Sequence, residues 1–104
     1  MGKDRTIKSL GKNIGNLVIH KLLIKYTNNP EALNHLKHEV INYRENTFEI
    51  SKEFNWNEQD KKEIKLETLK KIQRDMTLYY SDVKFPDNEC QQLIDETLKE
   101  LEIQ

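Results

Sequence analysis

Two histidines and a glutamate lie close together in the run HLKHE, as His35, His38 and Glu39. If this run is helical, His35 and Glu39 share a face one turn apart, where two ligands can meet one metal ion. The spacing is not the HExxH of zinc proteases, and no cysteine is nearby to complete a structural zinc site. A solvated helix face is therefore the favoured interpretation and a metal or ligand site the alternative, and no cofactor is predicted.

A third histidine, His20, lies inside the most apolar stretch of the chain, residues 17–24. A buried imidazole that lacks a hydrogen-bond partner is costly, so His20 must meet a polar group. We expect Tyr43 or Arg44, from the next segment, to supply or orient that partner. A hydrogen-bonded core histidine is the favoured interpretation, and a small-ligand pocket at His20 is the alternative.

Catalytic motifs are missing from the sequence. It contains no glycine-rich phosphate loop, no Cys-x-x-Cys pair and no serine or cysteine nucleophile in a recognisable setting. Carboxylates occur in every segment, so no pair of them stands out as an acid and a base. We predict that the chain is not an enzyme.

Charge is distributed unevenly along the chain. Residues 1–29 contain six basic side chains and one acidic one, whereas the last eighteen residues contain six acidic and one basic. This polarity serves a partner or holds the two ends of the chain together. Phosphate binding requires clustered positive charge, so the candidates for nucleic-acid binding are Lys3, Arg5, Lys8 and Lys12.

Three positions carry the signals of helix starts. Asn29–Pro30 supplies an N-cap and a proline at the first helical position. Asn57, followed three residues later by Asp60, resembles a capping box, and a start at Asn55 is the alternative. Pro86 opens a last helix. Together with an N-terminal segment, these starts predict four helices.

The second segment has the clearest helical pattern. Its apolar residues, together with one tyrosine and one threonine, are spaced alternately by three and four positions. This spacing predicts one long helix with a packing seam formed by Leu33, Leu36, Val40, Tyr43, Thr47, Ile50 and Phe54. Ile41 and Phe48 lie about 100° round from the seam, so this helix is expected to contact a second neighbour. Lys37 and Arg44 flank the seam, and Arg44 is a candidate to pair with Glu39 or Glu49 of a second copy.

The first segment differs because residues 17–24 are apolar on nearly all sides, which is typical of a central helix. Gly11 and Gly15 weaken a helix by about 1 kcal/mol each, relative to alanine. The helix therefore begins after them or uses them for close contact with another backbone, and the sequence does not decide between the two. Residues 1–12 are a candidate flexible basic arm.

We predict one all-α domain over residues 1–104, a four-helix up-and-down bundle with a long central hairpin of helices 2 and 3. Apolar residues make up 36% of the chain and charged residues 34%, so the core of one copy is meagre. The leading hypothesis is a non-catalytic module that forms a homo-oligomer, most simply a dimer, or binds a partner helix, with Ile41, Phe48, Arg44 and Lys37 at the interface. Nucleic-acid binding or regulation through the basic N-terminal segment is the alternative. The cytoplasm is the expected compartment, because the single cysteine, Cys90, excludes an internal disulfide framework and the N-terminus lacks the pattern of a secretory signal. No membrane span is expected, since the apolar stretches are far shorter than the ~20 residues that span a bilayer.

Overall fold

A computed structural model of the chain describes residues 2–26 and 30–103. These residues form four α-helices, α1 (Gly2–Tyr26), α2 (Pro30–Ser51), α3 (Glu58–Leu78) and α4 (Asp87–Glu100), and the described ranges contain no strand. The predicted all-α, four-helix fold is therefore confirmed. None of the helices in these ranges is long and apolar enough to cross a membrane.

The helices start where the sequence predicted. α2 begins at Pro30, while Asn29 lies outside the described residues. α3 is capped by Asn57, whose side-chain Oδ1 accepts a hydrogen bond of 2.8 Å from the Asp60 N–H, and the Asn57 N–H donates to the Asp60 carboxylate at 3.1 Å. These two hydrogen bonds satisfy two backbone N–H groups at the start of the helix, those of Asn57 and Asp60, and they identify Asn57, not Asn55, as the cap. α4 follows Pro86 directly.

α1 is the central helix. Each of the other three helices packs on it, and no other pair of helices makes a comparably extensive contact. Its apolar run supplies Leu17, Val18 and Leu22, all almost completely buried. The structure thus differs in one respect from the expected arrangement. α2 and α3 follow each other along the chain, but each packs on α1 instead of forming a central hairpin, because α1 is apolar on more sides than either.

Contacts along α1 give the directions of the other helices. Lys3 lies at the start of α3, where its Nζ is 2.6 Å from Asp60 Oδ2, and Gly15 lies further along beside Lys71, so α1 and α3 are parallel. Lys21 contacts Glu100, near the end of α4, with Nζ 3.1 Å from Oε1, so α4 is antiparallel to α1. Because α2 returns from the end of α1 to the start of α3, the four helices run up and down in turn, as predicted.

Gly11 and Gly15 lie well inside α1 and face α3. A Cβ added at Gly11 would lie 2.4 Å from the Cβ of Glu67, and one at Gly15 would lie 2.6 Å from the Cγ of Lys71. The two glycines therefore allow the backbones of α1 and α3 to approach closely, which decides between the two interpretations of the sequence. Residues 2–12 form the first turns of α1, where Ile7 is buried in the core, and not a separate arm.

The seam of α2 faces α1. The helix is unbroken over its length, with Val40 and Thr47 buried and Leu36 half-buried on this side. Phe54, the last residue of the predicted seam, lies beyond the end of α2 and contacts Trp56, with ring centroids 5.7 Å apart. The seam is thus confirmed as a packing surface, although α2 buries few residues completely.

Candidate functional site

A carboxylate bridge joins α1 and α2 at His20. The imidazole Nε2 lies 2.5 Å from Oε2 of Glu39, and the other carboxylate oxygen of Glu39 lies 2.8 Å from Nε2 of His35. The His20 side chain is 11% exposed, that of Glu39 33% and that of His35 75%. Two of the predicted candidate sites, His20 and the HLKHE run, are therefore one site in the folded chain.

The hydrogen-bond partners of His20 define where its protons lie. Nδ1 is 2.7 Å from the backbone carbonyl of Asn16, which can only accept, so Nδ1 carries a proton and donates it. Nε2 faces the Glu39 carboxylate, so a second proton lies between the two side chains. The pair is satisfied only when it holds both protons, as a histidine cation beside a carboxylate or as two neutral groups.

A tyrosine ring lies beside this pair. The ring of Tyr43 is 5.2 Å from that of His20, centroid to centroid. Elsewhere, the pKa of Tyr80 is raised, first by burial and then by the negative charges of Asp75 and Glu39. Asp75 is itself buried and held by Lys71, with Nζ 2.7 Å from Oδ2.

The arrangement differs in part from the prediction. His20 does meet a polar partner from α2, but the partner is Glu39, while Tyr43 contributes its ring and Arg44 points elsewhere. His38 is exposed and does not join the bridge. Within residues 2–26 and 30–103, no group of three or more histidine, cysteine or acidic side chains is arranged to hold a metal ion. The bridge can hold a proton and join two helices.

Sequence reasoning missed Glu39 as the partner of His20, although a signal was present. α1 and α2 are antiparallel neighbours, so residues at similar distances before and after their connection face each other. A residue about two turns before the connection therefore lies opposite a residue two to three turns after it. His20 and Glu39 stand in about that relation to residues 27–29.

Of the four predicted interface residues, Lys37, Ile41 and Arg44 are exposed and Phe48 is not. Ile41 is 52% exposed, while Phe48 is half-buried against the core, with Lys52 Nζ 4.3 Å from its ring centroid. Lys37 is exposed. Arg44 contacts Glu100 of the same chain, with Nε 3.3 Å from Oε2.

The predicted nucleic-acid residues divide into two groups. Lys3 is held by Asp60, and its Nζ lies 5.9 Å from the ring centroid of Trp56. Arg5, Lys8 and Lys12 are exposed, follow each other at helical spacing and so share one face of α1. No carboxylate among the described residues forms an ion pair with these three.

The opposite charges of the two chain ends meet in the fold. Lys25 and the hydroxyl of Tyr26 both contact the carboxylate of Glu89 in the first turn of α4. These contacts raise the pKa of Lys25 and lower the pKa of Glu89. Part of the charge polarity of the sequence, carried by Lys21 and Lys25, therefore joins α1 to α4.

Known proteins add no information about this site. Comparisons of the chain with protein-family models, with curated proteins and with solved structures give no match. Its function must be argued from its own surface.

Proposed function

We propose that the chain is a cytoplasmic, non-catalytic self-association module, and that two copies pair through the outer face of α2. This face consists of Ile41 and Phe48, with Lys37 and Arg44 on one side and Glu45 on the other. The observation that supports it is the incomplete burial of α2. The helix packs extensively only on α1, and of its 22 residues only Val40, Thr47 and Ser51 are buried.

Charge favours a second copy as the occupant of this face. One side of the row is basic, with Lys37 and Arg44, and the other is acidic, with Glu45 and Glu49. When two identical helices pair in parallel about a two-fold axis, each side of one meets the opposite side of the other. In an antiparallel pair, like sides would meet and repel. Parallel pairing of two α2 helices therefore brings basic and acidic side chains together at both edges of the interface.

The contact between Arg44 and Glu100 is compatible with this pairing. It involves Nε of the guanidinium, which leaves the terminal nitrogens for a carboxylate of the second copy. Glu39 is already shared by His20 and His35, so Glu45 and Glu49 are the available acids. The intramolecular contact also fixes the position of a long side chain, which reduces the entropy lost on pairing.

Sedimentation velocity over a range of protein concentrations tests the proposal with two matched variants. Ile41 and Leu66 are equally exposed, at 52%, but Leu66 lies on α3. Ile41→Asp places a carboxylate in the centre of the interface twice, so we expect the dimer dissociation constant to rise at least tenfold, by roughly 1.4 kcal/mol or more. Leu66→Asp should leave it unchanged. A wild-type chain that stays monomeric at millimolar concentration, or equal effects of the two variants, would contradict the proposal.

A charge exchange tests the orientation of the pair. Glu45→Arg replaces a carboxylate on the acidic side with a cation and leaves Glu49 as the acid there, so it should weaken the dimer. Adding Arg44→Glu restores an opposite-charge pair between positions 44 and 45 of the two copies, so the double variant should dimerise better than Glu45→Arg alone. A double variant weaker than the single one would argue against parallel pairing.

A second candidate function, nucleic-acid binding, is supported by one observation, the exposed and unpaired Arg5, Lys8 and Lys12 on a single face of α1. Because Ile7 is buried among them, substitution is a cleaner test than removal of the segment. Fluorescence anisotropy with a labelled DNA duplex and a labelled single-stranded RNA should show binding that weakens with salt and is lost when all three become glutamate.

The control for that test is a triple glutamate variant at three exposed lysines elsewhere, Lys70, Lys84 and Lys99. It changes the net charge by the same amount. Equal loss in both triple variants would show only a response to net charge, and this candidate would then be abandoned.

A further inference from the structure

A groove runs between α3 and α4, because both helices pack on α1 and make little contact with each other. Lys65 of α3 spans the groove to Asp95 of α4, with Nζ 3.2 Å from Oδ1. A cavity opens on each side of this ion pair, one of about 430 Å³ and one of about 270 Å³. We call the two cavities together the α3–α4 cleft.

The larger cavity has an apolar wall drawn from both helices and from the segment between them. Its apolar lining residues are Leu69, Ile72, Met76, Phe85 and Cys90. Burial raises the pKa of the Cys90 thiol, with a smaller contribution from Asp87, so the thiol is neutral at physiological pH and behaves as part of this wall. Such a surface favours aliphatic side chains over polar ones.

The smaller cavity is basic. Its charged lining residues are Glu58, Lys61, Lys62 and Lys65. Within the part of the chain that the structure describes, no carboxylate pairs with Lys62, so its charge is available to a partner. Asp87 is the one charged residue that lines the larger cavity. The cleft is therefore positive at one end and apolar towards the other.

The dimensions of the cleft suit a helix. The lining residues of α3 extend from Glu58 to Thr77 and recur every three or four positions, so they lie along one face of α3. At a rise of 1.5 Å per residue this face is about 28 Å long, which matches a helix of about five turns. A groove between two helices receives a third by the ridge-and-groove packing that joins helices elsewhere.

We propose that the α3–α4 cleft binds an amphipathic helix of a partner protein, with aliphatic side chains in the larger cavity and acidic residues over Lys61, Lys62 and Lys65. Charge complementarity determines the chemistry of the partner. Lys61 is paired with Glu58 and Lys65 with Asp95, but a basic or neutral helix would leave Lys62 desolvated without an opposite charge. Leu66, exposed on the rim of the same face of α3, extends the apolar surface that this helix covers. This surface is separate from the outer face of α2, so either proposal can fail alone.

Two synthetic peptides of about 18 residues test the proposal on the full chain. Both carry leucines at helical spacing on one face, and one half of the polar face carries glutamates in the first peptide and lysines in the second. Fluorescence anisotropy of the labelled peptides should show that the glutamate peptide binds at least tenfold more tightly at low salt, and that added salt reduces the difference. Binding of neither peptide, or equal binding of both, would overturn the proposal.

Variants locate the binding. Lys62→Glu and Leu66→Asp should each weaken the glutamate peptide by about tenfold. Lys70→Glu makes the same charge change on an exposed position of α3 outside the cleft, and Ile41→Asp changes the outer face of α2, so both should bind as the wild type does. A loss with Lys70→Glu equal to that with Lys62→Glu would show non-specific attraction and contradict the proposal. If Leu66→Asp disrupts self-association and leaves peptide binding intact, the cleft is a contact between copies instead.

Discussion

α1 joins α3 and α2 by different kinds of contact. Its contact with α3 depends on shape, since Gly11 and Gly15 let the two backbones approach more closely than any side chain would permit. Its contact with α2 depends on polar chemistry, through the bridge from His20 to Glu39, and includes few completely buried residues of α2. α3, by comparison, buries Ile64, Ile72 and Met76 among others.

The two contacts differ in how firmly they hold the helices: α3 is fixed on α1, and α2 is held less firmly. A close contact between two backbones has no alternative arrangement, because packed interiors do not deform continuously. A helix with little buried apolar surface opens at a lower free energy than the rest of the fold. We therefore expect α1 and α3 to form the most stable part of the chain. The stability of α2 should depend most on whether its outer face is covered.

The largest expected effect comes from filling the space between α1 and α3. Gly11→Ala with Gly15→Ala should lower the free energy of unfolding by about 2–4 kcal/mol, because overpacking exceeds the gain in helix propensity at both positions. Urea unfolding measures this change. Gly2→Ala is the matched control, since a Cβ at Gly2 would lie 3.6 Å from Phe54 Cζ, an ordinary contact. A double variant as stable as the wild type would show that the two helices can separate at little cost.

A smaller effect is expected at the polar contact between α1 and α2. Glu39→Ala leaves His20 Nε2 buried without a partner and should cost about 1–2 kcal/mol in urea unfolding. His35→Ala removes the exposed half of the bridge and should cost less than about 0.5 kcal/mol. Equal costs for the two would mean that burial of His20 adds nothing to the contact between α1 and α2.

The sequence predicted the contact surfaces better than the contacts themselves. The spacing from Leu33 onward identified the side of α2 that faces α1, because helical periodicity sets which residues share a face. It did not identify Glu39 as the partner of His20, because the relative shift of two helices along their axes is not contained in the period of either. Gly11 and Gly15 were ambiguous for the same reason, since only the position of Glu67 and Lys71 opposite them shows why a side chain is excluded.

The capping box of α3 was predictable, with Asn55 as an alternative start, because all its interactions are local. Asn57 and Asp60 are three residues apart, and both hydrogen bonds form within one turn. The α3–α4 cleft was not predictable, because it depends on how two separate helices pack on α1. Local geometry is contained in short runs of sequence, and tertiary register is not.

The smallest expected effect is a change of stability in acid that involves the contacts of α1 with α3 and α4. Lys3 and the Asn57 backbone hold the pKa of Asp60 below its usual 3.8, and Lys25 with Tyr26 holds the pKa of Glu89 below its usual 4.5. Above these usual pKa values both carboxylates are ionised and stabilise the folded chain. That contribution is lost as the pH falls through the lowered pKa that each carboxylate has in the folded chain.

Urea unfolding between pH 7 and pH 3 measures this contribution. Asp60→Asn and Glu89→Gln should each make the loss of stability below about pH 4 shallower than in the wild type. Glu63→Gln, at an exposed position of α3, is the control and should follow the wild-type profile. Profiles that are identical in all four proteins would show that neither carboxylate is stabilised by folding.

Hydrogen exchange of individual amides at low and high protein concentration shows whether α2 is held less firmly than α3 and is covered by a second copy. We expect α2 to exchange faster than α1 and α3 in dilute solution, and to gain protection at high concentration while α3 does not. Protection that is equal in α2 and α3 and independent of concentration would contradict both the difference between the two helices and the pairing of two copies through α2.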